Sequence, residues 1–536
     1  MPETRNIVLA IVVIAIIVVG GGLAFLMFSA PPAKTTLIVG TTVAIGRVPH
    51  PQYVQGGDDV MVNAMFEGLL GYKGDTLEIE PVLATDLGTV SSNGLEYTFT
   101  LRQGVKFHDG TDFNASSVKD HFDRMFDIGQ GITYIFTEGL LNKTEVLNTY
   151  SVKFTLNSPN SAFRDTLCHI AAFIPSLTAT EKHASNLDEL NDDPVGTGPF
   201  KFVSKVTDSE VVMEANRDWW KIEEGAKLTV DELIYTQFDD PSTMKLAIEQ
   251  GDIHATDGRL NVADYDSLLN NSALNLHDQS SSSSRRWFTF QMNSSVWDVF
   301  DNKTMRQAFA YAIPYDEIIS ATLGGNGERQ YSFLPPEYIG YKKVFNYDYN
   351  PTMAKQLIAA AGHTEPVAVT LYITPTHYGV QEPDIAALLK DRALTAGFDI
   401  TIVQQEYGAY KDEYKGASTQ EINLWAWTAN YPDTDDWATN FMGSGGWGPG
   451  FSHAIDGDMA AIYPYVDDLI DEAAATTNQT RKLEILEELQ NLWAEWVPNI
   501  FAWREVWYQF TRANVDGIVY GPGNFWDIHY ESATFT

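Results

Sequence analysis

The stretch GLEYTFTLRQGVKFHDGTDFNASSVKDHFDRM, Gly94–Met125, opens with strict alternation. Leu95, Tyr97, Phe99 and Leu101 fall on one side, and Glu96, Thr98, Thr100 and Arg102 on the other. Successive side chains of a strand point to opposite faces, so this is a strand with one apolar and one wet face. SVKFTLN, Ser151–Asn157, repeats the pattern with Val152, Phe154 and Leu156. Two such strands predict an antiparallel sheet solvated on one side. Further along the same stretch His108 stands beside Asp109, a pair that in isolation suits a general base with its orienting acid.

Outward from this sheet, helices and strands mix without any repeat of fixed period. TLIVGTT, Thr36–Thr42, is a β-branched run predicting a buried strand. DVMVNAMFEGLLGY, Asp59–Tyr72, predicts a helix bounded by Gly71. In DDPSTMKLAIEQGDI, Asp240 caps a helix, Pro241 suits its first turn, Met244, Ala247 and Ile248 share a face, and Gly251 stops it. PDIAALLKDRALTAGFDITIVQQ, Pro383–Gln405, reads as helix, Gly397, then strand. RKLEILEELQNLWAEW, Arg481–Trp496, predicts an amphipathic helix lined by Leu483, Leu486, Leu489, Leu492 and Trp493, with Glu484, Glu487 and Glu488 outward. SSSSRRWF, Ser281–Phe288, is a polar run ahead of an apolar strand and marks a crossover between lobes. The class is mixed α/β with interleaved lobes.

At 536 residues the chain is too long for one core and predicts two to four lobes. Asp and Glu number 71 against 35 Lys and Arg, a formal net charge of −36. Such a field repels polyanions, which excludes DNA or RNA as a partner. The single cysteine, Cys168, excludes an internal disulfide and a CxxC site; its apolar surroundings predict a buried, inert thiol. The eleven histidines show no HExxH spacing, and the acidic turns PDTDD and DGD (Asp456–Asp458) do not continue into a calcium loop, so neither metal nor cofactor is expected. There is no GxSxG elbow and no GxxxxGK phosphate loop.

IVLAIVVIAIIVVGGGLAFLMF, Ile7–Phe28, is uncharged over about 22 residues, enough for a helix to cross a bilayer. With prolines in the following FSAPPA, an uncleaved N-terminal transmembrane anchor is expected, a cleaved signal peptide being the alternative. A linker over 29–36 follows, and the remainder lies outside the cell. Six Asn-x-Ser/Thr tripeptides, at Asn114, Asn142, Asn270, Asn293, Asn302 and Asn478, are glycosylation acceptors on that reading.

Four stretches carry a resemblance to the family 5 extracellular solute-binding proteins, the receptors of peptide-type and nickel-type ABC importers. They are Gly94–Met125; PVGTGPFKF (Pro194–Phe202) with the following ANRDWW; NKTMRQAFAYAIPYDEII (Asn302–Ile319); and WAWTANYPDTDDW (Trp425–Trp437), in the place of the family's ADYPDP-like segment. The resemblance implies a three-lobed periplasmic-binding-protein-like α/β fold. Lobe I would comprise 35–72, 196–285 and 505–536, lobe II 73–195 and lobe III 286–504. Lobes I and III would clasp the ligand by hinge closure, while lobe II, carrying His108 and Asp109 in a structural turn, would be peripheral. It also implies a monomeric receptor on the outer face of the cytoplasmic membrane, serving ABC permease subunits whose ATPase is a separate polypeptide.

In peptide-binding relatives the aspartate of the ADY segment pairs with the ligand's ammonium; here that position is Asn430, a neutral donor and acceptor. That weakens the reading of a peptide with a free amino terminus; oligopeptide is still the first ligand class by family, and oligosaccharide is the alternative, motivated by Asn430 and by indoles that cover the apolar faces of sugars. The candidate ligand-binding residues are Trp425, Trp427, Thr428, Asn430, Tyr431, Trp447 and Trp503, with Gln55, Gly56 and Gly57 from HPQYVQGGDD. Trp425 and Trp427 also fit a core face of a strand, and Asp433, Asp435 and Asp436 fit a solvated turn. An extracellular hydrolase using Asp433 and Asp435, or a surface sensor that never delivers cargo, are the readings from other classes.

Overall fold

The computed structural model describes residues 14–19, 22–27, 34–46, 48, 50–53, 61–129, 133–137, 139–183, 187–257, 260–279, 284–292, 299–375, 377–416, 419–448, 458–476, 478–521 and 527–536. Three sheets organise these residues. The first has seven strands, in the order 200–206, 210–215, 232–237, 36–41, 255–256, 508–512 and 274–278. It thus draws on the beginning, middle and end of the chain. The second has six, in the order 327–329, 499–505, 285–290, 422–427, 367–373 and 398–404. The third is a four-stranded antiparallel sheet of 89–90, 96–100, 151–156 and 141–148. As the alternation predicts, Tyr97, Phe99, Val152, Phe154 and Leu156 are buried on its one covered face.

The chain passes from the first sheet to the second between Asp278 and Arg285, and returns between Glu505 and Tyr508. The Gln279 amide donates to the Trp507 carbonyl at 2.8 Å, which joins the start of the first passage to the return. Residues 280–283 of the serine run lie outside the described residues.

Local signals account for many elements. Helix Pro241–Gln250 starts where Asp240 accepts from the amides of Ser242 and Thr243, and ends at Gly251 with φ 82°. Asn114, Asn302 and Asn478 are N-caps of helices, each accepting an amide from its own Ser or Thr partner residue. Three of the six acceptor tripeptides are therefore helix starts, a role the same residue types favour; Asn293 lies outside the described residues. Arg306, fully buried, spends its guanidinium on the carbonyls of Trp496 and Val497 and on Asp458, closing the end of helix Gln479–Trp496. That helix buries Lys482, Ile485, Leu486, Leu489, Gln490 and Trp493. The stripe is rotated from the leucine line expected, leaving Leu483 and Leu492 at its rim.

Two expectations are corrected. The helix predicted over Asp59–Tyr72 is only Val62–Met65, followed by strand Leu70–Tyr72 pairing with Ile79–Pro81. The GTGPF turn interrupts it, because the Gly198 amide donates to the Met65 carbonyl at 2.9 Å. A Cβ on Gly196 would lie 2.1 Å from that carbonyl oxygen, so only glycine permits the approach. Glu67 then accepts from Thr197 and from the indoles of Trp219 and Trp220, which joins GTGPF to NRDWW at one buried carboxyl. The N-terminal run is the second. Ile14–Val19 and Gly22–Met27 are antiparallel strands rather than a helix, and the rest of Ile7–Phe28 lies outside the described residues. Its β-branched residues and central glycines suit a hairpin as well as they suit a membrane span. Among the described residues no helix is long and apolar enough to cross a membrane.

Candidate functional site

Strand Ile422–Trp427 lies inside the second sheet between 285–290 and 367–373. Its end feeds the turn Thr428–Asp433 and then helix Thr434–Phe441. Trp425 and Trp427, two apart, share a face and both reach Trp447, with ring centroids 6.0 and 5.7 Å away. Trp425 is a core residue, 1% exposed and packed on Tyr410 and Tyr414. Trp503 is likewise buried, edge-on to Phe288. Neither ring is presented to a ligand. Trp427 and Trp447 are half-buried and form the outer end of the stack, with the Lys415 ammonium 4.4 Å over Trp447. Thr428 shares a hydrogen bond with Ser284 at the first passage between sheets, 2.8 Å. Gln55, Gly56 and Gly57 lie outside the described residues.

Of the turn aspartates Asp436 is buried, and Asp433 and Asp435 are half-buried and bonded within the turn rather than fully solvated. Asp433 caps the helix through the Asp435 amide. Asp435 accepts from the Tyr431 hydroxyl at 3.0 Å and the Asn160 amide at 3.3 Å. Asp436, 2% exposed, accepts from the backbone and side-chain amides of Asn430 at 3.0 and 2.7 Å, and from Asn440. Burial pushes the Asp436 carboxyl up to about 7, and Asp435 is raised by burial and by Asp433. These carboxyls clamp the turn, so Asp433 and Asp435 are not a free acid/base pair.

Asn430 itself is held on both sides: its Nδ2 donates to Asp436 and its Oδ1 accepts from the Tyr134 hydroxyl at 2.8 Å. Tyr134 belongs to the body built on the third sheet, as do Asn160 and Ser161. The Ser161 amide donates to Ala474, and its hydroxyl receives Lys482. The lobe expected to be peripheral therefore touches the turn that carries the candidate site.

A small cavity opens where the three bodies meet. Asn430, Tyr431 and Pro432 form one wall, Asn63 and Asp527 a second, and Tyr72, Asp165, Cys168, His169 and Ile170 a third. Asp165 accepts from the Tyr72 hydroxyl at 3.2 Å; burial and then Asp433 push its carboxyl up to about 7. Asp527 accepts from Asn63 and from His529. Burial alone would lower His529, but Glu531 and Asp527 hold it well above the ordinary range. His169 is lowered to about 3 by burial, and its Nδ1 accepts from the Ala171 amide at 3.0 Å. Asp165 and His169 come from one short segment, but Asp527 and the Asn430 turn reach them from far along the chain, so no sequence spacing points to the cavity.

His108 and Asp109 stand elsewhere. Both ring nitrogens of His108 are bonded to the backbone of Gly196 and Gly198, and Asp109 ties down Thr111 and Ser176. The pair fastens the GTGPF turn. Among the described residues no group of three or more His, Cys, Asp or Glu is arranged to hold a metal ion.

Residues 78–449 match the family model for bacterial extracellular solute-binding proteins, family 5 Middle. The di/tripeptide-binding protein 1 of Pseudomonas aeruginosa is 29% identical over 506 residues, covering 88% of this chain and 89% of that one. A glutathione-binding protein of Pectobacterium atrosepticum is 27% identical over 448 residues, covering 82% and 83%. Among solved structures, an ABC transporter-associated periplasmic binding protein of Helicobacter pylori in complex with the peptide STSA superposes with a TM-score of 0.75. It is 24% identical and covers 92% of this chain and 98% of that one. These relatives and structural neighbours are solute-binding proteins, not enzymes. The chain belongs to the family 5 bacterial extracellular solute-binding proteins.

Proposed function

We propose that this chain is the extracellular receptor of an ABC importer for short peptides, which it holds unmodified and hands to a permease. The ligand sits between the bodies of the first and second sheets (lobes I and III of the expected division), which swing about the two adjacent passages. The cavity lined from three bodies carries the reading. A ligand there touches all three walls only when the bodies are together, so it favours the closed state and shifts the hinge equilibrium. The relatives named for dipeptides, tripeptides and glutathione favour a peptide over other solutes.

The half-buried pair Trp427 and Trp447 favours a second reading, an oligosaccharide stacked on indole. Calorimetry separates the two. Saturable heat with mixed short peptides is expected; heat with oligosaccharides and none with peptides would reassign the ligand class. We further propose that the apolar run Ile7–Phe28 directs export, which N-terminal sequencing of the exported protein tests.

A further inference from the structure

We infer that Asn160, Ser161 and Lys482 form a clasp between the body of the third sheet and that of the second, and that this clasp, without touching cargo, sets how tightly the receptor holds any cargo. The inference rests on the hinge in the function proposed above and gives that hinge a second fastening.

The bodies of the first and third sheets move as one. A single apolar core runs through both, from Leu37, Val39 and Met65 to Phe99 and Phe154, and Tyr431 reaches into it from the turn. The second sheet has a core of its own around Trp287, Phe309, Trp425 and Trp493. Polar ties reinforce the shared core. Arg102 pairs with Glu224 at 2.6 Å and lies over Trp220, and His108 is bonded to Gly196 and Gly198. A bond from the third-sheet body to the second-sheet body must therefore break when the hinge opens.

Three such bonds come from one short strap. The Ser161 amide donates to the Ala474 carbonyl at 2.8 Å, and its hydroxyl accepts from the Lys482 ammonium at 3.2 Å. The Asn160 Nδ2 donates to Asp435 at 3.3 Å. The strap is held ready by its own body: the Asn160 Oδ1 accepts from the Ala162 amide at 2.7 Å, and its carbonyl accepts from the Tyr97 hydroxyl at 2.8 Å. Ala474 lies in the last turn of helix Tyr463–Ala475, where carbonyls have no partner within the helix, so the strap supplies one.

Lys482 is an independent sign. It is 8% exposed and stands near the start of helix Gln479–Trp496, where a cation opposes the helix dipole and so does not serve that helix. Its ammonium is 3.6 Å from Asp433 and lies in the field of Asp165 and Asp435. A lysine is costly to bury unless it is paired, and these partners come from both bodies. Among the described residues, the cavity lining includes none of Asn160, Ser161, Ala474 and Lys482. Loosening the clasp lowers the share of closed receptor, so every ligand loses affinity by the same factor.

The test places donor and acceptor dyes on the full chain at Asp218→Cys in the first-sheet body and Lys390→Cys in the second, both exposed, while Cys168 is buried. Energy transfer is read with and without trialanine or trileucine, and calorimetry gives the affinities of the unlabelled chains. Lys482→Met keeps the apolar stem and removes the ammonium. It should weaken both peptides about tenfold, by one common factor. It should also move the ligand-free transfer away from the saturated value, which itself stays unchanged. Ser161→Ala should act the same way at about threefold, and it carries the test should Lys482→Met not fold. The double variant should lose no more than Lys482→Met alone, because both changes remove one bond. Affinity or ligand-free transfer unchanged in both variants would overturn the clasp and leave the hinge standing. Losses that differ between the two peptides would also overturn it, by placing these residues at the cargo. Peptides that do not bind wild type would overturn the peptide reading alone, and the ligand-free transfer would still decide the clasp. Transfer that peptide binding does not move in wild type would overturn the hinge and the clasp together.

Discussion

Arg286 and Glu382 form an ion pair at 3.0 Å with both side chains 1% exposed, at the start of the strand that leaves the first passage. The Arg286 guanidinium also lies 5.1 Å over Tyr378. Glu505, at the start of the return passage, is a second carboxyl in its field, raised by burial as Glu382 is. At an effective dielectric near 20 such a pair is worth roughly 5–6 kcal/mol of attraction, set against a comparable desolvation cost. Removing one partner leaves the other charge stranded, which costs about 3–5 kcal/mol. Glu382→Gln should fall at the low end, because Glu505 remains to face the arginine. Arg286→Met should fall at the high end near pH 8, since it leaves two buried carboxyls.

The pH dependence of that second variant has a definite sign. Without the cation both carboxyls titrate above their unfolded value near 4.3. In that window the folded chain holds protons that the unfolded chain lacks, so stability falls as pH rises and returns toward pH 5. Urea unfolding followed by tryptophan fluorescence reads all of this. The double variant Arg286→Met/Glu382→Leu should regain at least half of the loss. Single variants costing less than about 1 kcal/mol would refute a desolvated pair at this seam.

Trp427→Ala should weaken ligand binding by about 1–3 kcal/mol, the range for a desolvated aromatic anchor; unchanged affinity with folding intact removes it from the site. Tyr134→Phe deletes the bond to Asn430 and should lower apparent affinity about fivefold, for a bond worth ~1 kcal/mol made between bodies, without a comparable loss of melting temperature. Gly196→Ala drives a Cβ into the Met65 carbonyl and should destabilise by about 3 kcal/mol or more; a melting temperature within 2 °C of wild type, roughly 1 kcal/mol at most, contradicts the packing described. Asp240→Ala should cost about 1 kcal/mol through loss of the helix cap, read in the same urea assay.

The strands of the third sheet and the capped helix Pro241–Gln250 are legible in sequence because their signals are local: alternation, a capping carboxylate, a terminal glycine. The segment Asp59–Tyr72 misleads because its apolar density fits a helix, while the residues that stop it, Gly196 and Gly198, arrive from far along the chain. The same holds for the aspartates after Trp427. Read alone they are a wet turn; folded, they meet Asn160, Asn430 and Asn440 and are drawn inside. Trp425 and Trp427 look alike in sequence, yet depth along one strand makes the first a core residue and the second half-exposed. The cavity is the least legible part, since only topology brings Asn63, Asn430 and Asp527 to the segment that carries Asp165 and His169.

The bond between Gln279 and Trp507 ties the outgoing chain to the returning one at the edge of the first sheet. On the hinge reading proposed above, the two large sheets would turn about that tie as covers turn about a spine, and cargo would come and go at the far edge.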